Sequence, residues 1–183
     1  MHTIEIPEPA LSRFLFSDTR MAWFWLIVRV YIGYEWVMAG WEKLGSAAWT
    51  GSSAGVAVKG FLTAALQKAG GQHPDVSGWY SFFIRHIALP HPVFFSYLIT
   101  YGELAVGVAL IFGVFTGIAA FFGTFMNLNY LFAGTVSLNP VMLLFQLLLI
   151  LAWRTAGWLG LDRYVLPALG TPWQAGEVFH REQ

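Results

Sequence analysis

Four apolar runs dominate this chain, at residues 21–44, 93–113, 116–134 and 138–153. A helix crossing the roughly 30 Å hydrocarbon core of a bilayer needs about 20 apolar residues. The first three runs meet that length, and the fourth is shorter and is expected to extend to residue 156. Of the 183 residues, 57% are hydrophobic and 11% charged, whereas soluble domains carry about 25% charged residues. The chain therefore reads as an integral membrane protein. Its zero net charge gives no electrostatic footprint for nucleic acid. The absence of cysteine removes disulfides, thiolate catalysis, iron–sulfur clusters and Cys-ligated metals.

The N-terminal stretch MHTIEIPEPALSRF has no basic n-region, short apolar h-region or small-residue cleavage site. It does not read as a signal peptide, so run 21–44 is expected to remain in the membrane. Pro7 and Pro9 are expected to break regular structure in a short polar arm over residues 1–20. The segment after the first run has helical spacing at Val58, Phe61, Leu62, Ala65, Leu66 and Ala69, stopped by Gly70 and Gly71. Ser77 is placed to cap a second helix through Trp79, Tyr80, Phe82, Phe83, Ile84 and Ile87, ended by Pro90 and Pro92. Asn139 and Pro140 read as an N-cap followed by proline at the first helical position. Pro167 and Pro172 mark a polar tail.

Arginines 13, 20, 154, 163 and 181 fall on the side of both termini. Lys59, Lys68 and Arg85 fall on the other, with Lys43 at its edge. This modest bias places both termini in the cytoplasm. The expected fold is thus an all-α integral membrane protein of the cell membrane. It is one domain over 1–183: a four-transmembrane-helix bundle (spans 21–44, 93–113, 116–134 and 138–156), an extracytoplasmic helical lid over 45–92 between spans one and two, and a cytoplasmic tail over 157–183.

Arg29, Glu35 and Glu103 lie deep inside the runs, where an ion costs about 2.5–3.5 kcal/mol by insertion scales. At 1.5 Å per residue, Arg29 falls ~12 Å from the inner face and Glu103 ~15 Å from the outer face. Asn127 falls ~17 Å from the inner face and Gln146 ~12 Å from the outer face, so the four polar groups fall near one level. Arg29, Gly33, Trp36, Gly40 and Lys43 share one helical stripe. Ser96, Thr100, Glu103, Gly107 and Leu110 share another, and Ala120, Gly123, Asn127, Tyr130 and Gly134 a third. Small residues beside polar ones mark contact faces between helices in lipid. These positions predict an Arg29–Glu103 ion pair at mid-membrane, which either fixes packing or serves a reaction. Glu35 lies ~120° from the Arg29 stripe and faces a neighbouring helix, a cavity or a partner chain. Lys43 either snorkels to the interface or serves the outer end of a site. Trp36 either packs or flanks a flat ring. His73, His86 and His91 lack metal-ligand spacing, and no metal site is expected.

The ordered set Arg29-x-x-x-Gly33, Gly40-Trp41-Glu42-Lys43-Leu44, Glu103-x-x-x-Gly107 and Gly113 resembles the DoxX/DoxD family of four-helix membrane proteins. Asn139-Pro140 and Gly160-Leu161-Asp162-Arg163 resemble its DoxD branch. The resemblance implies the membrane subunit of a thiosulfate:quinone oxidoreductase, which joins two thiosulfates into tetrathionate and passes the electrons to quinone. It implies a DoxA-like or other redox partner, with a homo-oligomer as a further association. In that setting Arg29, Glu103 and Glu35 are the catalytic candidates, the two glutamates as proton carriers. Lys43 and Arg85 are candidates for the thiosulfate dianion, and Trp36 and Asn127 for the quinone. No haem, flavin or dinucleotide motif accompanies them. Two other classes stay open: a non-catalytic anchor or assembly subunit of a redox complex, and a small anion or proton transporter. Against the transporter stands the lack of an inverted repeat or broken helix.

Overall fold

The computed structural model describes residues 8–170. Pro7, Pro172 and Arg181, which enter the reading above, lie outside them. The described chain is helical, without strands. Helix α1 (Ala10–Ser17) and a 3₁₀ turn (Thr19–Met21) lead into α2 (Ala22–Leu44). Helix α3 (Val56–Gln67) is followed by α4 (Gly78–Phe83), which runs on as a π-helical turn (Ile84–Ala88). Then come α5 (Pro92–Phe112), α6 (Thr116–Phe132), α7 (Asn139–Leu151), α8 (Trp153–Ala156) and α9 (Asp162–Ala168).

All four apolar runs are helical, and their ends fall within two residues or so of the expected ones, the fourth being divided into α7 and α8. By length and composition α5 is the single helix among the described residues able to cross a membrane unaided, with a mean hydropathy of 1.6. Helix α2 is long enough but carries Arg29, Glu35, Glu42 and Lys43. Helices α6 and α7 span 17 and 13 residues.

Two local expectations need correction. Regular structure begins directly after Pro9, whose φ of −56° suits the start of α1. Helix α1 is tied to the bundle: Trp25 Nε1 donates to Leu15 O at 2.7 Å, and Thr155 Oγ1 to Phe16 O at 3.1 Å. Asn139 is not a cap. It is the first residue of α7, and its Nδ2 donates back to Thr135 O at 3.0 Å.

Two apolar clusters hold the fold. The larger one packs Trp25, Val28, Ile32 and Trp36 of α2 against Val106 and Leu110 of α5, Ala119 and Ala120 of α6, and Met142 and Leu149 of α7. The smaller one gathers Val58, Leu62, Ala65, Val76, Tyr80, Ile84 and Ala88 of the 45–92 segment with Ala133 after α6. The outward faces are also apolar. Trp23, Ile27 and Tyr34 of α2, Leu98 and Phe112 of α5, Phe121 and Phe125 of α6, and Leu144 and Leu151 of α7 are all exposed. A belt of that extent far exceeds the apolar patches of soluble monomers.

Tyr80 fastens the 45–92 segment to α6. Its hydroxyl donates to Asn129, 3.0 Å from the carbonyl oxygen and 3.1 Å from Oδ1. Burial pushes its pKa from 10.0 up to about 12. Between those values the unfolded chain loses the proton and the folded chain keeps it, so this stabilisation is complete below pH 10 and fades as pH rises through 12. Tyr80→Phe should therefore flatten the loss of stability above pH 10, measured by thermal unfolding in detergent across an alkaline series. An alkaline slope equal to that of the wild type would contradict the assignment.

Candidate functional site

The position of the polar groups follows from how α2 meets α5. A Cβ on Gly107 would lie 2.6 Å from Val37 N and 2.7 Å from Gly33 O, and one on Gly40 would lie 2.7 Å from Leu104 Cγ. The two helices thus touch backbone to backbone, antiparallel, as small residues allow in a membrane. That register sets Lys43 beside Glu103 and Arg29 beside Gly113. Residues 103 and 113 are ~15 Å apart along α5.

The expected Arg29–Glu103 pair therefore does not form. Glu103 pairs instead with Lys43, whose Nζ lies 2.7 Å from Oε2 and 3.0 Å from Oε1. The Tyr130 hydroxyl of α6 donates to Oε1 at 2.6 Å. The Glu103 side chain is 1% exposed and that of Lys43 18%. Lys43 also lies 5.1 Å from the centre of the Trp49 ring, within cation–π range. The turn carrying Trp49 is pinned to α5 by Ser96 Oγ on Trp49 O (2.6 Å) and Tyr97 OH on Thr50 O (3.0 Å). Lys43 is thus engaged rather than snorkelling. Depth counting failed because it set the helix ends flush, whereas the first two turns of α2 project past the end of α5.

Arg29 belongs to a second cluster. It is 1% exposed, and its Nη2 donates to Leu159 O at 3.1 Å. Its guanidinium rests on Gly113 and Gly160, and a Cβ on Gly113 would overlap Nη1. Gly113 has φ +68°, where glycine also fits without backbone strain. Asp162, electrostatically coupled to Arg29, is fully buried. Its carboxylate accepts from Phe115 N at 2.5 Å and Thr116 N at 2.8 Å. It so neutralises the start of α6 and holds Phe115 at φ +47°. The cluster locks the α5–α6 turn to the segment after α8.

The other candidates scatter. Asn127 Nδ2 donates to Gln146 Oε1 at 2.8 Å, tying α6 to α7. Trp36 is 2% exposed within the larger core, with Nε1 close to Gly123. Glu35 is half-buried and Arg85 exposed, and neither has an ion pair among the described residues. No group of metal ligands occurs among the described residues.

The space lies on the opposite side of α5 from Trp36. A cavity of about 730 Å³ runs between α5 and α6, open on the outward apolar face beside Leu98 and Phe125 and closed at one end by α3 and α4. Its α5 wall extends from Phe94 to Ala109, and its α6 wall from Ile118 to Tyr130. Phe61, Leu62 and Phe83 cover its end. Small residues at Gly102, Ala105 and Ala109 leave the room that larger ones would fill. The polar side chains on its wall are Tyr80, Asn129 and Tyr130. Tyr130 is the residue that sequence reasoning left out of the site. Its position one turn beyond Asn127 on the α6 stripe, at the Lys43 end, was the available signal.

An apolar belt around a helical core with a buried ion pair defines a protein of the membrane class. The DoxX family model matches residues 24–136, more than half of the chain, and the chain belongs to the DoxX family. This is a membrane family associated with oxidoreductase-related functions. The match includes Arg29, Lys43, Glu103, Tyr130 and the walls of the cavity, and ends before Asp162. Comparison with the curated proteins gives no match, and comparison with the solved structures gives none either.

Proposed function

We propose that this protein is the quinone-handling membrane subunit of an oxidoreductase acting on a sulfur compound, of the DoxD type. The reading takes α2, α5, α6 and α7 with α8 as four spans and α3–α4 as a lid on the outer side. The observation that carries it is the apolar cavity ending on Tyr130, which is bonded to Glu103. A quinone needs a slot for a flat ring and an apolar tail, with a few fixed polar contacts. It also needs protons when it is reduced, and an ionisable residue inside a membrane is the usual carrier. The apolar lining suits that ligand and not an inorganic anion. In this reading the quinone site moves from Trp36 and Asn127 to the α5–α6 cavity.

Thiosulfate is the proposed donor. Two thiosulfate dianions joined through a new S–S bond give tetrathionate and two electrons, and quinone takes these with two protons to become quinol. With Lys43 held by Glu103, anion binding falls to exposed Arg85 together with a partner subunit, a DoxA-like chain in this reading.

The test uses Gly102→Leu, which places a side chain in the cavity. A Cβ there meets Met126 Sδ at 3.4 Å and nothing closer, so the fold tolerates it. Protein purified in mild detergent should release quinone on solvent extraction, and the variant should retain less than a tenth as much. Membranes carrying the variant should lose thiosulfate-dependent quinone reduction to a similar degree. Equal quinone content in both proteins would overturn the proposal.

A further inference from the structure

Among the described residues, Tyr130 both lines the cavity and touches the buried ion pair. We infer that Tyr130 is the catalytic proton donor to the bound quinone and the last member of a relay from the Lys43 end of the bundle. The inference rests on the quinone reading above and adds the residue that completes its chemistry.

The geometry gives a continuous path. Lys43, partly exposed at the end of α2, lies 2.7 Å from Glu103 Oε2. Glu103 Oε1 lies 2.6 Å from the Tyr130 oxygen, and Tyr130 is part of the cavity wall. Each gap is one hydrogen bond. The Tyr130 ring packs edge-on against Phe61, with centroids 6.0 Å apart; in the relay its hydroxyl proton turns from the carboxylate to the quinone. The ionisable groups facing it are Glu103 from α5 and Tyr80 from α4, with Lys43 of α2 behind Glu103. Helix α3 adds only exposed Lys59, and α7 contains no ionisable residue.

Two electrons from the donor reach the quinone. The phenolic O–H bond of Tyr130 breaks as an O–H bond forms on a quinone oxygen. The Lys43 ammonium gives a proton to the Glu103 carboxylate, the carboxylic acid so formed passes it to the phenolate, and the neutral Lys43 amine takes a proton from water. A second passage delivers the second proton and leaves quinol, with Tyr130, Glu103 and Lys43 as they began. Protons are thus drawn from the side that carries residues 45–92.

The experiment compares wild type, Tyr130→Phe, and protein with a fluorinated tyrosine at position 130, each within the intact membrane complex. Quinone content, kcat and KM for quinone, and the pH–rate profile are measured. Tyr130→Phe should keep its quinone content within twofold and its KM nearly unchanged, while kcat falls on the order of 100-fold, the usual scale for a lost general acid. Fluorotyrosine, being more acidic, should restore turnover and shift the alkaline limb of the profile to lower pH. Normal quinone content with kcat within twofold of wild type in Tyr130→Phe overturns the relay alone. A wild-type protein that binds no quinone overturns the functional reading and the relay with it.

Discussion

Lys43→Met should destabilise the protein by about 3–5 kcal/mol, the scale for a buried pair that loses one partner. The lysine is the charge that offsets burial of Glu103, whose side chain is 1% exposed. Without it, the carboxylate retains only the Tyr130 hydroxyl. Removing both charges is a different matter, because desolvation of a buried pair can equal its Coulomb gain. The double variant Lys43→Met/Glu103→Gln should therefore recover most of the loss. Thermal unfolding in detergent of the two single variants and the double variant forms a closed cycle. Additive effects in that cycle would mean that Lys43 and Glu103 do not act as a pair.

The second large effect concerns the register that brings the pair together. Gly107→Leu should cost about 3 kcal/mol, the upper range for overpacking a tight contact, and it should also lower activity. A Cβ at this position would sit 2.6 Å from Val37 N and 2.7 Å from Gly33 O. Those are backbone atoms that cannot turn aside, so α2 must move off α5 and carry Lys43 away from Glu103. Gly102→Leu on the same helix is the control, since a Cβ there meets only the Met126 side chain, at 3.4 Å. It should unfold near the wild-type temperature while losing quinone. Similar unfolding temperatures for the two leucine variants would show that α2 and α5 are not in backbone contact at Gly107.

These two glycines also show how far the sequence could be read. The stripes Arg29–Gly33–Trp36–Gly40 and Ser96–Thr100–Glu103–Gly107–Leu110 are buried, so the angular positions were legible from a 3.6-residue period. The axial register was not. It depends on which small residues meet, and nothing within one helix specifies the offset of its neighbour. An error of this kind paired Glu103 with the wrong cation, Arg29 in place of Lys43. The cavity was not legible at all, since it arises where the side chains of α5 and α6 fail to fill the space between them. Asp162 escaped for another reason: its carboxylate reaches back to the start of α6, 47 and 46 residues away in sequence.

The most direct test is photolabelling with a quinone carrying a photoreactive group on its ring, followed by mass-spectrometric mapping of the modified residues. The account predicts modification at Tyr130 and Met126 of α6 and on the 102–109 face of α5, suppressed by unlabelled quinone and lost in Gly102→Leu. Modification centred on Trp36 and Gly123, or spread evenly over the exposed apolar faces, would contradict it.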